Sequence, residues 1–342
     1  MALLWIDGFE GYGVTGTQSG LDSRYIVSNT TYYSIFAGRN SGYCVGYNND
    51  GSATITTPIL YTNTSTKSTN STLIAGYAFK LADSTGYSMI QFNDNAVNGV
   101  SITISGSTNI ILTLKVAGST VSTFTGPAIT FGFWYYIELK TYCDNTAGTI
   151  EVRVNGTTVI SLTSYDTKIG VDNWFNNVTL QQYHSYTDDL YICDGSGTTA
   201  NDFQGVCKVF ALYPVADTTT IEWTPSAGLT HYNLVDENPA ATADYISATT
   251  QNKTDSYTYP ALASTGQIIG LQIATRTKLA SGTSIIIETP INSNSLTDVG
   301  ADLRGLSTSY LDYRRVCEID PNTEQSWTAS SIAAAHFGIR IM

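Results

Sequence analysis

The chain has 342 residues, 42% of them hydrophobic and 13% charged, which fits one large sandwich or two cores and not a disordered polymer. Its formal net charge is −12, and its 16 Lys and Arg residues are scattered, which argues against the clustered basic surface that nucleic-acid binding requires. No window approaches the roughly 18 consecutive apolar residues of a membrane helix, and the opening Met1-Ala2-Leu3-Leu4-Trp5-Ile6 has neither a basic start nor a cleavage site. The expectation is a chain made and folded in a cytosol, without membrane insertion.

With 23 Tyr, 29 Gly and abundant Thr and Ser, the composition favours strands and turns. After a first strand comes a glycine-rich loop (Gly11, Gly13, Gly16, Gly20) with no Lys-Ser/Thr and no following helix, so it is not a phosphate-binding loop. Thr54–Leu60 reads as a strand and Thr62–Ser71 as a polar loop. Strands follow at Leu73–Lys80, Tyr87–Phe92, Gly99–Ile104 and Ile110–Val116. Ten-residue spacing with polar turns is the pattern of a sandwich or jelly roll.

Beyond Val121–Thr130, Tyr135, Ile137 and Leu139 alternate with Tyr136, Glu138 and Lys140, which predicts a half-buried strand. Ile150, Val152 and Val154 alternate next, and Asn155-Gly156 marks a hairpin. A strict two-residue turn sets Val152 opposite Val159 and Ile150 opposite Ser161. One extra loop residue sets Val152 opposite Ile160 and Ile150 opposite Leu162, keeping the apolar set on one face, so a longer, bulged loop is expected, with Gly156 at positive φ.

Val178–Leu180, Leu190–Ile192 and Cys207–Tyr213 read as the next strands, with Pro214 ending the last. The expected division is a first domain of residues 1–214 and a second of 215–342. In the second, strands are expected at Asp244–Ser247, Ser256–Tyr259, Ile268–Thr277, Ser284–Glu288 and Ser309–Ile319. A helix is expected over Ser326–Ala335, capped by Ser326 or Thr328 and with His336 at its C-terminal end, before a last strand at Ile339–Met342.

The run Trp134-Tyr135-Tyr136-Ile137-Glu138-Leu139, the later Ile150-Glu151-Val152-Arg153-Val154-Asn155-Gly156 and Thr187-Asp188-Asp189-Leu190-Tyr191 resemble the central strands of concanavalin A-like (laminin-G-like) jelly rolls. Leu3-Leu4-Trp5-Ile6-Asp7-Gly8-Phe9-Glu10 is similar to the first strand of such domains in tailed-bacteriophage virion proteins. Those proteins also carry stretches like Asn201–Val209, Trp223–Gly228 and Asp320 to Ile339. The resemblance covers most of the chain and implies an all-β fold: an N-terminal jelly-roll sandwich with a smaller C-terminal β-sandwich and one short helix. It further implies that a residue such as Asp188 or Asp189 bonds backbone amides at a strand end. Paired carboxylates also suit calcium, the alternative for these two positions; otherwise no cofactor is expected.

The five cysteines lack a CxxC pair and read as buried thiols rather than a zinc site or disulfide framework, with a Cys193–Cys207 bridge the unsupported exception. Glucanases of the resembled fold set paired carboxylates on one strand as Glu-x-Asp-x-Glu. The nearest sequence, Glu318-Ile319-Asp320-Pro321-Asn322-Thr323-Glu324, has the wrong last spacing and a proline in the strand, so it reads as an acidic turn. His184, His231 and His336 lack a nucleophile motif or a metal-pair spacing. Tyr32, Tyr33, Tyr43, Tyr47 and Trp174 are candidates for stacking on sugar rings, against the alternative that they pack the sheets or subunit contacts.

These observations lead to an expectation of a non-enzymatic virion structural protein, of the tail, tail tip or fibre, homo-oligomeric and held to other virion proteins, that contacts host surface glycans. A capsid decoration protein is the alternative, and a glycan-degrading enzyme of the same fold the rival from another class.

Overall fold

In the structure, a computed structural model, residues 2–13, 20–47, 51–60, 71–95, 97–228, 230–263, 266–282, 285–294, 296–300 and 306–342 are described. Gly16, the loop residues 62–70 and Ser284 of the expected elements lie outside them. The chain divides into two compact units, Met1–Val209 and Phe210–Met342, where the sequence placed a boundary at 214.

The first unit contains β1 (Leu3–Asp7), β2 (Ile26–Ser28), β3 (Tyr33–Ala37), β4 (Tyr43–Tyr47), β5 (Ala53–Thr56), β6 (Thr72–Leu81), β7 (Tyr87–Asp94) and β8 (Val97–Gly106). These are followed by β9 (Asn109–Val116), β10 (Ser119–Ala128), β11 (Tyr135–Tyr142), β12 (Gly148–Val154), β13 (Thr157–Tyr165), β14 (Asn177–Tyr183) and β15 (Ser185–Asp194). They form an eight-stranded sheet, β13-β12-β11-β6-β15-β4-β3 with β1 also on β15, and a seven-stranded sheet, β10-β9-β8-β7-β14-β5-β2. All pairings are antiparallel, and neighbours far apart in sequence, such as β6 with β15 and β7 with β14, close the sandwich.

Alternation explains which side chains meet between the sheets. Ala75, Tyr77 and Phe79 from β6 and Ile137 and Leu139 from β11 share one core with Ile90 and Phe92 from β7 and Ile102 and Ile104 from β8. Burying each large apolar side chain stabilises the fold by about 2 kcal/mol. Tyr77 and Ser88, from opposite sheets, satisfy each other's hydroxyls at 2.9 Å inside this core.

The β12–β13 register pairs Val152 with Ile160 and Ile150 with Leu162, as the apolar pattern requires. The extra residue, however, is Val159, bulged within β13, and not part of a longer loop. Val154 pairs directly with Thr157, and Asn155 and Gly156 form a tight two-residue turn, both at positive φ (49° and 80°).

Two expectations are corrected here. The segment expected as a strand at Cys207–Tyr213 pairs with no strand. Its first part belongs to a trailing segment, 202–209, laid over the outer face of β11 and β15. Tyr191 Oη donates to Glu138 Oε1 at 2.6 Å, the Gly205 amide donates to the same oxygen at 2.8 Å, and Arg153 lies 4.0 Å over the Phe203 ring. As a result β11, expected half-buried, is covered on both faces, with Glu138 1% exposed.

In the second unit the strands are β16 (Ala216–Ile221), β17 (Thr224–Pro225), β18 (Ile246–Ser247), β19 (Thr254–Thr258), β20 (Leu271–Thr277) and β21 (Ile287–Glu288). Then come β22 (Ile291–Ser293), β23 (Leu296–Asp298), β24 (Leu311–Cys317), β25 (Ile319–Asp320), β26 (Gln325–Ser326) and β27 (His336–Ile341), with α1 (Ala329–Ala334) before β27. The main sheet runs β16-β19-β27-β22-β23, with β21 also on β27. Ile291, Trp327, Ile332 and Phe337 form its core. Thr328 caps α1: its hydroxyl accepts from the Ser331 amide while Ser331 Oγ accepts from the Thr328 amide. His336 is not at the helix end as expected but opens β27, opposite Asn292. The chain turns extended at Ala335 because α1 must stop for β27 to join the sheet centre.

Candidate binding face

Side chains pointing away from the core on β7 and β14 form a continuous polar ladder in the first unit. Register pairs Tyr183 with Tyr87, Gln181 with Met89, Thr179 with Gln91 and Asn177 with Asn93. None of these eight carries a charge. Gln91 donates to Asn93 and Asn98, the latter at 2.9 Å, and Asn93 donates to Asn177 at 2.7 Å and Thr179 at 3.0 Å. Thr179 and Thr56 share a further bond at 2.8 Å. Such a chain fixes each amide's orientation but buries Asn93, Asn177 and Thr179, so Gln91, Gln181 and the two tyrosines are what it presents outward.

An aromatic row continues from one end of this ladder. Tyr87 stacks with Tyr183 at 5.4 Å, Tyr183 meets His184 at 4.5 Å, and His184 stacks with Tyr47 at 4.6 Å. All four rings are half-buried. His184 Nδ1 lies 2.8 Å from Asp83, and this bond, with that from Thr85, holds the Asp83 carboxyl down at about 2. Rigid rings beside neutral amides and hydroxyls offer both apolar surface and hydrogen-bond exchange, the combination that a hydroxyl-rich ligand needs.

Of the aromatic residues singled out in the sequence, Tyr47 belongs to this row. Tyr33 is buried, with its hydroxyl pushed up to about 12 by desolvation. Tyr43 packs on the sandwich core, and Tyr32 is exposed. Trp174 is half-buried, with its Nε1 enclosed and without a hydrogen-bond partner among the described residues. Tyr87, Gln91 and Gln181 escaped notice, although the outward positions of two period-two strands carry them.

Asp188 and Asp189 sit elsewhere, on β15. A bulge between Asp188 and Tyr191, with Asp189 at φ 50°, interrupts the pairing with β6. Asp188 accepts from the Arg39 amide at 2.7 Å and from the Asp189 amide at 2.8 Å; Asp189 accepts from the Val209 amide at 2.8 Å. They are backbone-amide bonds of the kind the resemblance implies, made however at a bulge inside β15 and not at a strand end. Desolvation, then the neighbouring Asp189 charge, pushes Asp188 up to about 8. Glu10 is pushed to about 9 by desolvation and then by the Asp188 charge. Two carboxyls kept protonated near neutrality resemble an acid–base pair, but loop backbone lies directly on them. A Cβ added at Gly38 would fall 2.6 Å from Asp188 Oδ2, and one at Gly42 2.6 Å from Glu10 Oε1.

Among the described residues no three His, Cys, Asp or Glu side chains are grouped to hold a metal ion. Asp320, of the acidic turn, is buried and accepts from Ser293 Oγ at 2.6 Å and the Asn322 amide at 2.9 Å. His231 is buried beside Asp255, 2.6 Å from its Oδ2, and Asp255 also accepts from the Glu222 and Trp223 amides. No disulfide joins any of the five cysteines.

No protein-family model matches the chain, and no curated protein matches it. Similar solved structures include a protein of unknown function with a galectin-like fold from Bacillus subtilis, at 10% identity and TM-score 0.38, covering 56% of this chain and 96% of that one. Alginate lyase Aly36B is 13% identical with TM-score 0.35, over 56% of this chain and 95% of its own. An endo-beta-1,4-glucuronan lyase from the fungus Trichoderma reesei is 13% identical with TM-score 0.35, over 51% and 94%. At such identities and scores the likeness decides nothing about activity. The class defined by the chain's own sheets is an all-β protein: a large jelly-roll sandwich, and a second β unit with one short helix.

Proposed function

We propose that this chain is a non-enzymatic virion structural protein of a tailed phage, of its tail, tail tip or fibre, whose jelly-roll unit meets host surface glycans through the outer face of β7 and β14. One observation carries the glycan part: an uncharged, prebonded ladder of amides and hydroxyls runs into the Tyr87–Tyr183–His184–Tyr47 row. An uncharged ladder in a chain of net charge −12 suits a ligand recognised by hydroxyls and ring faces rather than by charge. The virion setting is supported by the sequence resemblance of Leu3–Glu10, Asn201–Val209 and Trp223–Gly228.

The glycan part is tested on an array of bacterial surface polysaccharides with the full chain and with Tyr183→Ala and Gln91→Ala. Binding by the parent that weakens about tenfold in each variant, a loss of about 1.4 kcal/mol, supports the reading; a flat array, or binding indifferent to both changes, overturns it. Release of reducing ends, abolished by a single carboxylate substitution, would make the protein an enzyme instead. The virion part is tested by immunogold labelling of particles of the phage that carries the gene. Tail label supports the proposal, head label converts it to capsid decoration, and unlabelled particles overturn it.

A further inference from the structure

The second unit carries an open groove, a cavity of about 280 Å³, whose polar wall is made by Thr220, Asn252, Thr254, Asn292, Thr297 and Arg340, with Pro290 and Val299 as its apolar part and Thr220, Asn252 and Thr297 exposed at its rim. Register places Thr254, Arg340 and Glu288 side by side across β19, β27 and β21. What distinguishes this wall is how its acceptors are spent. Asn252 Oδ1 accepts from Arg340 Nη2 at 2.9 Å, and Asn292 Oδ1 accepts from Thr297 Oγ1 at 2.7 Å. With both side-chain carbonyls engaged inside the wall, neither asparagine NH₂ group is spent among the described residues, which leaves these donors for whatever enters.

Arg340 has donors to spare as well. A guanidinium carries five N–H groups; here one meets Asn252 and another makes a long 3.5 Å contact with Glu288 Oε2. Glu288 is the one carboxylate partnering Arg340 among the described residues, and its side chain is 6% exposed. It lies outside the groove lining. The cavity is therefore lined by a cation and two amide donors, with Thr220 and Thr254 hydroxyls beside them that both donate and accept.

We propose that this cavity binds a small hydroxylated carboxylate, of the size of one hexuronate ring, with the carboxylate on Arg340 and the asparagine amides and the ligand hydroxyls on the threonines. A planar carboxylate matches a guanidinium fork as a neutral hydroxyl does not. The site is separate from the β7–β14 face, and the proposal stands or falls independently of glycan binding there.

The test is titration of the full chain, labelled with ¹⁵N-arginine, with D-glucuronate, acetate and D-glucose, following the Arg340 Nε–H resonance assigned by comparison with Arg340→Gln. The expected order is glucuronate, with Kd about 1 mM, then acetate about tenfold weaker, with no response to glucose. Arg340→Gln also leaves Glu288 without its cation and risks the fold, so Asn292→Ala, which keeps that ion pair, is the second variant, expected to weaken glucuronate about fivefold. An Arg340 resonance unmoved by glucuronate, an equal response to glucose, or an unchanged Kd in Asn292→Ala overturns the proposal.

Discussion

Arg39 grips the Asp188-Asp189 pair with both its main chain and its side chain: its amide donates to Asp188 at 2.7 Å, and its guanidinium reaches Asp189 Oδ2 at 2.9 Å. The same guanidinium nitrogen donates to the Cys207 carbonyl at 2.8 Å and the group lies 5.7 Å over the Tyr136 ring. One side chain therefore ties the β3–β4 connection, β15 and the trailing segment together. Arg39→Met leaves Asp189, 2% exposed, as a buried carboxylate without its cation. Urea denaturation of the full chain should show a loss on the order of 3 kcal/mol, with Arg39→Lys intermediate because the planar fork is lost.

Glu10 and Asp188 make stability fall as pH rises. In the folded chain they hold their protons to about 9 and about 8, whereas unfolded Glu and Asp release them near 4. Between those limits the folded state binds more protons, so the contribution is most favourable below pH 4 and is lost progressively towards pH 8–9, by up to about 1.4 kcal/mol per pH unit for each group. Glu10→Gln should flatten the difference in urea midpoint between pH 5 and pH 9 and be the more stable protein at the upper end. A Glu10→Gln variant that loses as much urea midpoint as the parent between pH 5 and pH 9 would contradict this.

Asp255 has an analogous anchoring role in the second unit. It receives the Glu222 amide at 2.6 Å, the Trp223 amide at 2.8 Å, His231 Nδ1 at 2.6 Å and Tyr257 Oη at 3.2 Å. Asp255→Ala strands buried donors and should cost on the order of 3 kcal/mol, read as a lowered thermal midpoint with altered Trp fluorescence.

The helix α1 is short enough to depend on its cap. Thr328→Ala removes the oxygen that accepts from the Ser331 amide at 3.0 Å and should cost about 1 kcal/mol, measurable by denaturant midpoint. Thr328→Ser should recover most of it.

Alternation made the sandwich legible in the sequence, and even the pairing of Val152 with Ile160, because a slip would have turned Ile150 to water. Where alternation fails, the sequence was silent. Asp188 and Asp189 are successive, so a regular strand would send them to opposite faces; the bulge alone brings both to Arg39, and bulges leave no mark in a period-two count. Cys207–Val209 is patterned like a strand yet bonds sideways to Asp189 and Arg39, since the eight-stranded sheet already has its partners in place. The Tyr47–His184–Tyr183–Tyr87 row joins residues from four separate strands and turns, a neighbourhood that only the closed topology creates.

The trailing segment sets where the first unit can be cut. A fragment stopped after Asp194, at the end of β15, keeps all fifteen strands but sheds Gly205 and Val209, the amide partners of Glu138 and Asp189, and uncovers Tyr136, Glu138 and Tyr191 to water. Such a fragment would expose an adhesive aromatic face and precipitate, whereas one ended at Val209 retains its own cover. Limited proteolysis should accordingly spare the 202–209 stretch while the first unit stays folded, despite its lack of regular secondary structure.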